Sequence, residues 1–286
     1  MALKTVRANM ETSPLAVERF RREVHNARKV THPNVCRIFD LGIEASQGHN
    51  RFFLTMEMLH GTSLAERLES GPRYDLAEAL PVIRQIADGL QAAHDAGVVH
   101  RDLKPANIML LESPGKPHPR AVITDFGIAI SLEQDDTRLT QSGEIVGTPE
   151  YMAPERADTG PALPASDIYA LGLVLYEMLS LQRPFDTSDT LLGTVLRRRR
   201  EDPRPLRQFL PDIDPVWEAI VLRCLERDPL RRFVRAADVA VALSESGPPR
   251  ASVNIGSSGP IVGERVRQTP TARLKKWLGR SGNGEK

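Results

Sequence analysis

The sixteen residues from Ser166 to Leu181, SDIYALGLVLYEMLSL, carry apolar side chains nearly all round a helix. A helix without a polar face has to be covered on every side, so this segment marks the middle of a lobe. A second stretch, His100 to Leu110, reads HRDLKPANIML. It packs an acid, three basic residues, a proline and an asparagine between two apolar runs, Gly97–Val99 and Ile108–Leu111, that read as buried strand or core. A charged loop held between buried segments is rigid and partly desolvated, the setting in which carboxylates and hydrogen bonds become useful for chemistry.

Composition bounds the remaining options. The chain has 286 residues, enough for one large domain or two lobes with their own cores. Apolar residues make up 41% and charged residues 26%, an ordinary globular balance, and a net charge of +1 gives no general pull toward nucleic acid. The two cysteines, Cys36 and Cys224, cannot build a disulfide framework or a cysteine metal site. They read as small buried apolar residues in a reducing cytosol, so the expected location is cytoplasmic. No apolar run approaches the ~18–20 residues of a transmembrane segment, and the start lacks a signal-peptide core.

Along the chain, residues 1–59 read as strand, helix, strand, strand: MALKTVR, a helix from Leu15 to Val30 after Pro14, then Val35–Gly42 and Arg51–Leu59 around a polar turn, Glu44–Asn50. From Gly61 the period is helical. Ser63 can cap a short helix, and Asp75 a long one from Leu76 to Ala96 that ends at Gly97. Short strands are expected at Ile108–Leu111 and Ala121–Thr124 around the turn ESPGKPHPR, then a polar loop over 131–150. Further helices are expected at Thr187–Arg200, Pro215–Arg227 and Ala236–Glu245, with Arg197–Arg200 a solvated helix end. Residues 60–245 therefore form a mainly helical lobe. The basic tail, 246–286, reads as a flexible linker with a short helix at Ala272–Leu278.

Four segments in order, HRDLKPANIML, TDFGIAI, GTPEYMAPE and SDIYALGLVLYEML, resemble the signature set of bacterial eukaryotic-type (Hanks-type) serine/threonine protein kinases. The resemblance runs from Met1 to about Ser244. It implies an α+β, two-lobed fold with a small β-rich N-lobe, a helical C-lobe and a hinge at Met56, Glu57 and Met58. It also implies transfer of the ATP γ-phosphoryl group to serine or threonine of protein substrates, with Mg2+ as the metal and Mn2+ as a substitute.

The resemblance assigns roles residue by residue. Asp102 corresponds to the catalytic base, Lys104 to the phosphate contact, and Asn107 and Asp125 to hard oxygen ligands of the metal. Lys4 corresponds to the ATP lysine and Glu23, nineteen residues on, to its helix partner. Arg101 would sense a phosphate on the activation loop. Thr140 and Ser142, eight and six residues before Thr148, are the expected phosphosites, with Thr137 a weaker one. Thr148 would shape the substrate groove, Glu155 would pair with Arg232, and Asp167 would anchor the catalytic loop from its buried helix. Self-association for autophosphorylation in trans follows from the same family pattern.

The family pattern places two strands and a glycine-rich loop before the strand that Met1–Lys4 begins, so the N-lobe is expected to be truncated. A valine codon, GUG, read as the initiator would account for Met1, and the upstream reading frame tests this. The alternative to an active kinase is an impaired kinase-like scaffold or a fragment, because the glycine-rich loop covers the phosphates.

Overall fold

The computed structural model describes residues 1–6, 14–46, 49–112, 114–126, 149–157, 163–186 and 191–246. Thr137, Thr140, Ser142, Thr148, most of the polar loop and the tail beyond Ser246 lie outside the described residues.

The first sheet has three antiparallel strands in the order β1 (Ala2–Val6), β3 (His49–Met56), β2 (Ile38–Ser46). Its register sets Lys4 opposite Leu54 and Ser46 opposite His49. The β2–β3 hairpin is therefore longer than the sequence suggests. Residues from Glu44 to Asn50 read as a turn, yet cross-strand pairing carries Glu44–Ser46 and His49–Asn50 into the ladder. Alternation along β1 leaves Leu3 60% exposed and turns Lys4 to the other face. The helix α1 (Pro14–Ala27) lies on this sheet, with the Phe20 and Phe52 rings edge to face at 5.5 Å.

Two strong caps open the helical part. Ser63 and Glu66 form a capping box at the start of α2 (Leu64–Ser70), and Asp75 and Glu78 form another at α3 (Leu76–Asp95). Gly97 ends the second helix with φ of 74°, a conformation that disfavours a Cβ. The strands β4 (Thr62–Ser63), β5 (Ile108–Leu111) and β6 (Arg120–Ile123) form a small second sheet. Asn34 joins it to the first part of the chain: its backbone carbonyl accepts from Ile123, and its buried amide donates to the Ala121 carbonyl at 2.7 Å.

The helix α4 (Pro164–Ser180) is the centre of the larger part. Every residue from Ser166 to Ser180 except Glu177 is buried. α3 and α6 (Pro215–Cys224) pack against it and α7 (Ala236–Glu245) packs on those two, while α5 (Leu191–Arg200) covers the 3-10 turns Pro149–Tyr151 and Pro154–Ala157. A Cβ on Gly172 would lie 2.6 Å from that of Cys224, so only glycine lets α4 and α6 approach this closely. Both cysteines are free and buried, and burial pushes the Cys36 thiol up to about 11 and the Cys224 thiol up to about 12. Among the described residues no helix is long and apolar enough to cross a membrane.

The arginine run at the end of α5 needs correction. Arg199 and Arg200 are exposed, but Arg198 is buried and donates to the carbonyls of Met152, at 2.7 Å, and Glu150. Thr194, one helical turn earlier, is buried on the same face. A run of four like residues conceals which one the helix turns inward.

Among the described residues Arg232 is the most completely buried arginine. Its guanidinium holds Glu155 through two bonds of 2.8 and 2.7 Å and also donates to the carbonyls of Ala165, Glu226 and Arg227. Burial works against the Glu155 charge, but the Arg232 hydrogen bonds and charge prevail and keep its carboxyl below the usual range. Removing one partner strands the other, so Arg232→Ala should cost about 3–5 kcal/mol in chemical denaturation. A loss under 1 kcal/mol would contradict this.

Candidate active site

Asp167 sits in the first turn of α4 with its carboxylate buried. It accepts from the backbone N–H of His100 at 2.8 Å and of Arg101 at 2.9 Å, and lies 2.8 Å from His94 Nε2. Those bonds hold Arg101 at φ 70°, a left-handed conformation that costs a residue with a Cβ roughly 1–2 kcal/mol. Anchored there, the loop presents Arg101 and Asp102 on successive residues.

His100 is completely buried, and its ring links the loop to the segment after β6. Nε2 lies 2.9 Å from the Thr124 carbonyl, and Nδ1 faces the Asp102 N–H at 3.3 Å. Those partners require a proton on Nε2 and a lone pair on Nδ1, which is the neutral ring. Burial, outweighing the nearby carboxylates, lowers its pKa from the ordinary histidine value. Phe126 stacks beside it, ring centres 4.7 Å apart.

The turn Pro105–Asn107 completes the loop. The Asn107 carbonyl accepts from the Thr124 N–H at 2.8 Å, which fixes the residue before Asp125. Its side-chain amide donates to the Asp102 backbone carbonyl at 2.8 Å and to Asp102 Oδ2 at 3.1 Å. Lys104 Nζ lies 2.9 Å from the same Oδ2. Asp125 has φ of 54°, the second left-handed residue in the site.

The lysine and the helix acid are not paired with each other. Lys4 Nζ lies 2.7 Å from Asp125 Oδ1, and Glu23 Oε1 lies 2.7 Å from Arg101 Nη2. This corrects the Lys4–Glu23 ion pair expected from the sequence. Two cations and two carboxylates can be paired in two ways that neutralise all four, and the structure shows this one. Spacing along the chain has no means of choosing between them. Arg101, expected to meet a phosphate, is held here by Glu23.

At the end of β3, Glu57 donates its N–H to the Arg37 carbonyl at 2.9 Å, and the Cys36 thiol points at the Glu57 carbonyl at 3.8 Å. Met56 is half-buried against the core, and Met58 is 52% exposed. The structure thus brings Lys4, Glu23, Arg101, Asp102, Lys104, Asn107 and Asp125 into one network, with Glu155, Asp167 and Arg232 supporting it from the helical side. Sequence reasoning passed over His100, although its place between two apolar runs was a signal of burial. It also passed over Tyr151, whose hydroxyl donates to Glu177.

Comparison with known proteins gives the class. Residues 1–241 match the protein kinase domain family, and the chain belongs to that family. It is 36% identical over 257 residues to the serine/threonine-protein kinase PknA of Mycobacterium tuberculosis, covering 88% of this chain and 57% of that protein. It is 31% identical over 278 residues to the probable serine/threonine-protein kinase PknB of Corynebacterium glutamicum, covering 96% of this chain and 42% of the relative. The chain therefore spans about half the length of these curated relatives. The PknI kinase domain of Mycobacterium tuberculosis has a similar fold, with a TM-score of 0.65 over 85% of this chain and 83% of that one at 24% identity.

The neutral, buried His100 sets a pH dependence. Its folded pKa lies below the unfolded value near ~6.5, so the unfolded chain binds the proton first and stability falls as pH drops through that region. Thermal melts should therefore show a lower Tm at pH 5.5 than at pH 7.5, and His100→Asn should flatten that slope. An unchanged slope in the variant would contradict the assignment.

Proposed function

We propose that this chain transfers the γ-phosphoryl group of ATP to serine or threonine hydroxyls of proteins, its own activation loop at Thr140 and Ser142 included. The observation that carries the reading is Asp102. Lys104 and Asn107 both hold Oδ2, which leaves Oδ1 to orient an incoming hydroxyl and accept its proton. The names of the curated relatives support the same activity.

The residues suit Mg2+. Asn107 commits its amide nitrogen to Asp102, which leaves its carbonyl oxygen as a hard donor, and Asp125 supplies a carboxylate. Bound Mg2+ and ATP would supply the phosphoryl group and neutralise charge as it transfers. In this reading Lys4, now on Asp125, would contact phosphate oxygens, Asp125 would hold the metal, and Lys104 would offset the charge of the transferred group. Residues 1–59 serve as the N-lobe and 60–245 as the C-lobe, joined by a hinge whose Glu57 and Met58 backbone would hold adenine. The tail, 246–286, lies outside the catalytic unit.

The Lys4–Asp125 pair also favours a second reading, a kinase-like scaffold in which that pair stays closed. Incubation with labelled ATP and Mg2+ separates the two. The native chain should label itself or a generic protein substrate, and Asp102→Asn should lower the rate roughly 10²–10⁴-fold. Equal absence of labelling by both, with a folded circular dichroism spectrum, would exclude the enzyme reading and leave the scaffold.

A further inference from the structure

Residues 73–76, Leu179 of α4 and the turn over 209–213 enclose a cleft of about 350 Å3 that shares no residue with the network around Asp102. Its volume lies in the ~300–1,000 Å3 range of sites that hold a compact apolar group. Tyr74, Leu76, Leu179, Phe209, Leu210 and Ile213 line its floor. Leu76, Phe209, Leu210 and Ile213 pack against the core yet are only half covered.

The walls are fixed by the backbone. Tyr74 donates its N–H to the Met178 carbonyl at 2.9 Å, and Ile213 donates to the Leu210 carbonyl at 3.0 Å. The Asp75 capping box sets the start of α3. A preformed cleft needs little ordering when it is filled. Its rim is close to balanced, with Arg73 against Asp75 and Asp212, so affinity has to come from apolar contact more than from charge.

One segment of this chain has the matching chemistry. Residues 247–286 carry a single aromatic residue, Trp277, within the sequence ARLKKWLGR. Read as a helix, 272–280 sets Leu274, Trp277 and Leu278 on one face, three and four residues apart, and directs Lys276 and Arg280 away from it. That face would lay an indole and two leucines on the cleft floor and leave the charges in water.

The segment also starts from the right place. Ser244, near the end of α7, accepts a hydrogen bond from Arg84 of α3 at 2.6 Å. Arg84 stands eight residues along α3 from Leu76, about 12 Å at ~1.5 Å per residue. Linkers of the length of 247–271 span about 25–30 Å on average, so the reach is ample and the effective concentration is roughly millimolar. We propose that the tail segment 272–280 docks its Trp277 face in this cleft and so binds the tail to the helical lobe. The inference needs no nucleotide and stands apart from the kinase reading.

The test is fluorine NMR on the full chain labelled with 5-fluorotryptophan. The two tryptophans give one resonance for Trp217, buried in α6, and one for Trp277, assigned with Trp277→Phe. The Trp277 resonance should be displaced from that of a free 268–282 peptide, be as broad as that of Trp217, and stay displaced as salt is raised. Leu210→Lys, on the half-covered floor, should return it to the free-peptide position, with a dispersed Trp217 resonance reporting that the lobe is folded. Leu274→Ser with Leu278→Ser, which changes no residue of the core, should do the same. A native Trp277 resonance at the free-peptide position, or a displaced one that ignores Leu210→Lys, would overturn the inference. So would displacement that is lost on dilution, the mark of a second copy's tail, or that appears only with anionic vesicles, the mark of a lipid surface.

Discussion

The buried carboxylate of Asp167 is the contact on which the site depends. A carboxylate is costly to bury unless its charge is met by donors, and here the backbone N–H groups of His100 and Arg101 meet it, with His94 alongside. Its place in the first turn of α4 adds the favourable end of the helix dipole. Because α4 is packed on every side, the anchor cannot drift. From that fixed point the constraints run outward: His100 to the Thr124 carbonyl, Asn107 to Thr124 and to Asp102, and Lys104 to Asp102. Two left-handed residues, Arg101 and Asp125, are held at the two ends of this chain of contacts.

Above that frame the electrostatics are less committed. Lys4 with Asp125 and Glu23 with Arg101 form two ion pairs whose partners are interchangeable in charge. All four side chains are partly exposed, so each pair is screened and contributes modestly to stability. The anchored loop below and the ion pairs above therefore differ in kind: one is buried, the other partly exposed to solvent.

Much of the frame was legible in the residues. The all-round apolar pattern of 166–180 identified the central helix, and Ser63 and Asp75, each followed three residues on by glutamate, announced their helices. Burial patterns and caps are local signals, so a sequence displays them. The ion-pair partners were not legible, because Lys4, Glu23, Arg101 and Asp125 meet only after four separate segments are packed together. Arg198 was concealed for a different reason. Within Arg197–Arg200 the composition is uniform, and only the helical phase set by Thr194 decides which arginine turns inward.

The central claim is that Asp167 holds the His100–Asn107 loop through its backbone. Amide hydrogen exchange in Asp167→Asn tests it most directly, since asparagine keeps the size but loses the charge and one acceptor oxygen. The account predicts that the His100 and Arg101 amides exchange at least tenfold faster than in the native chain, while amides in the middle of α4 stay protected. Unchanged protection at His100 and Arg101, in a variant that remains folded, would contradict it.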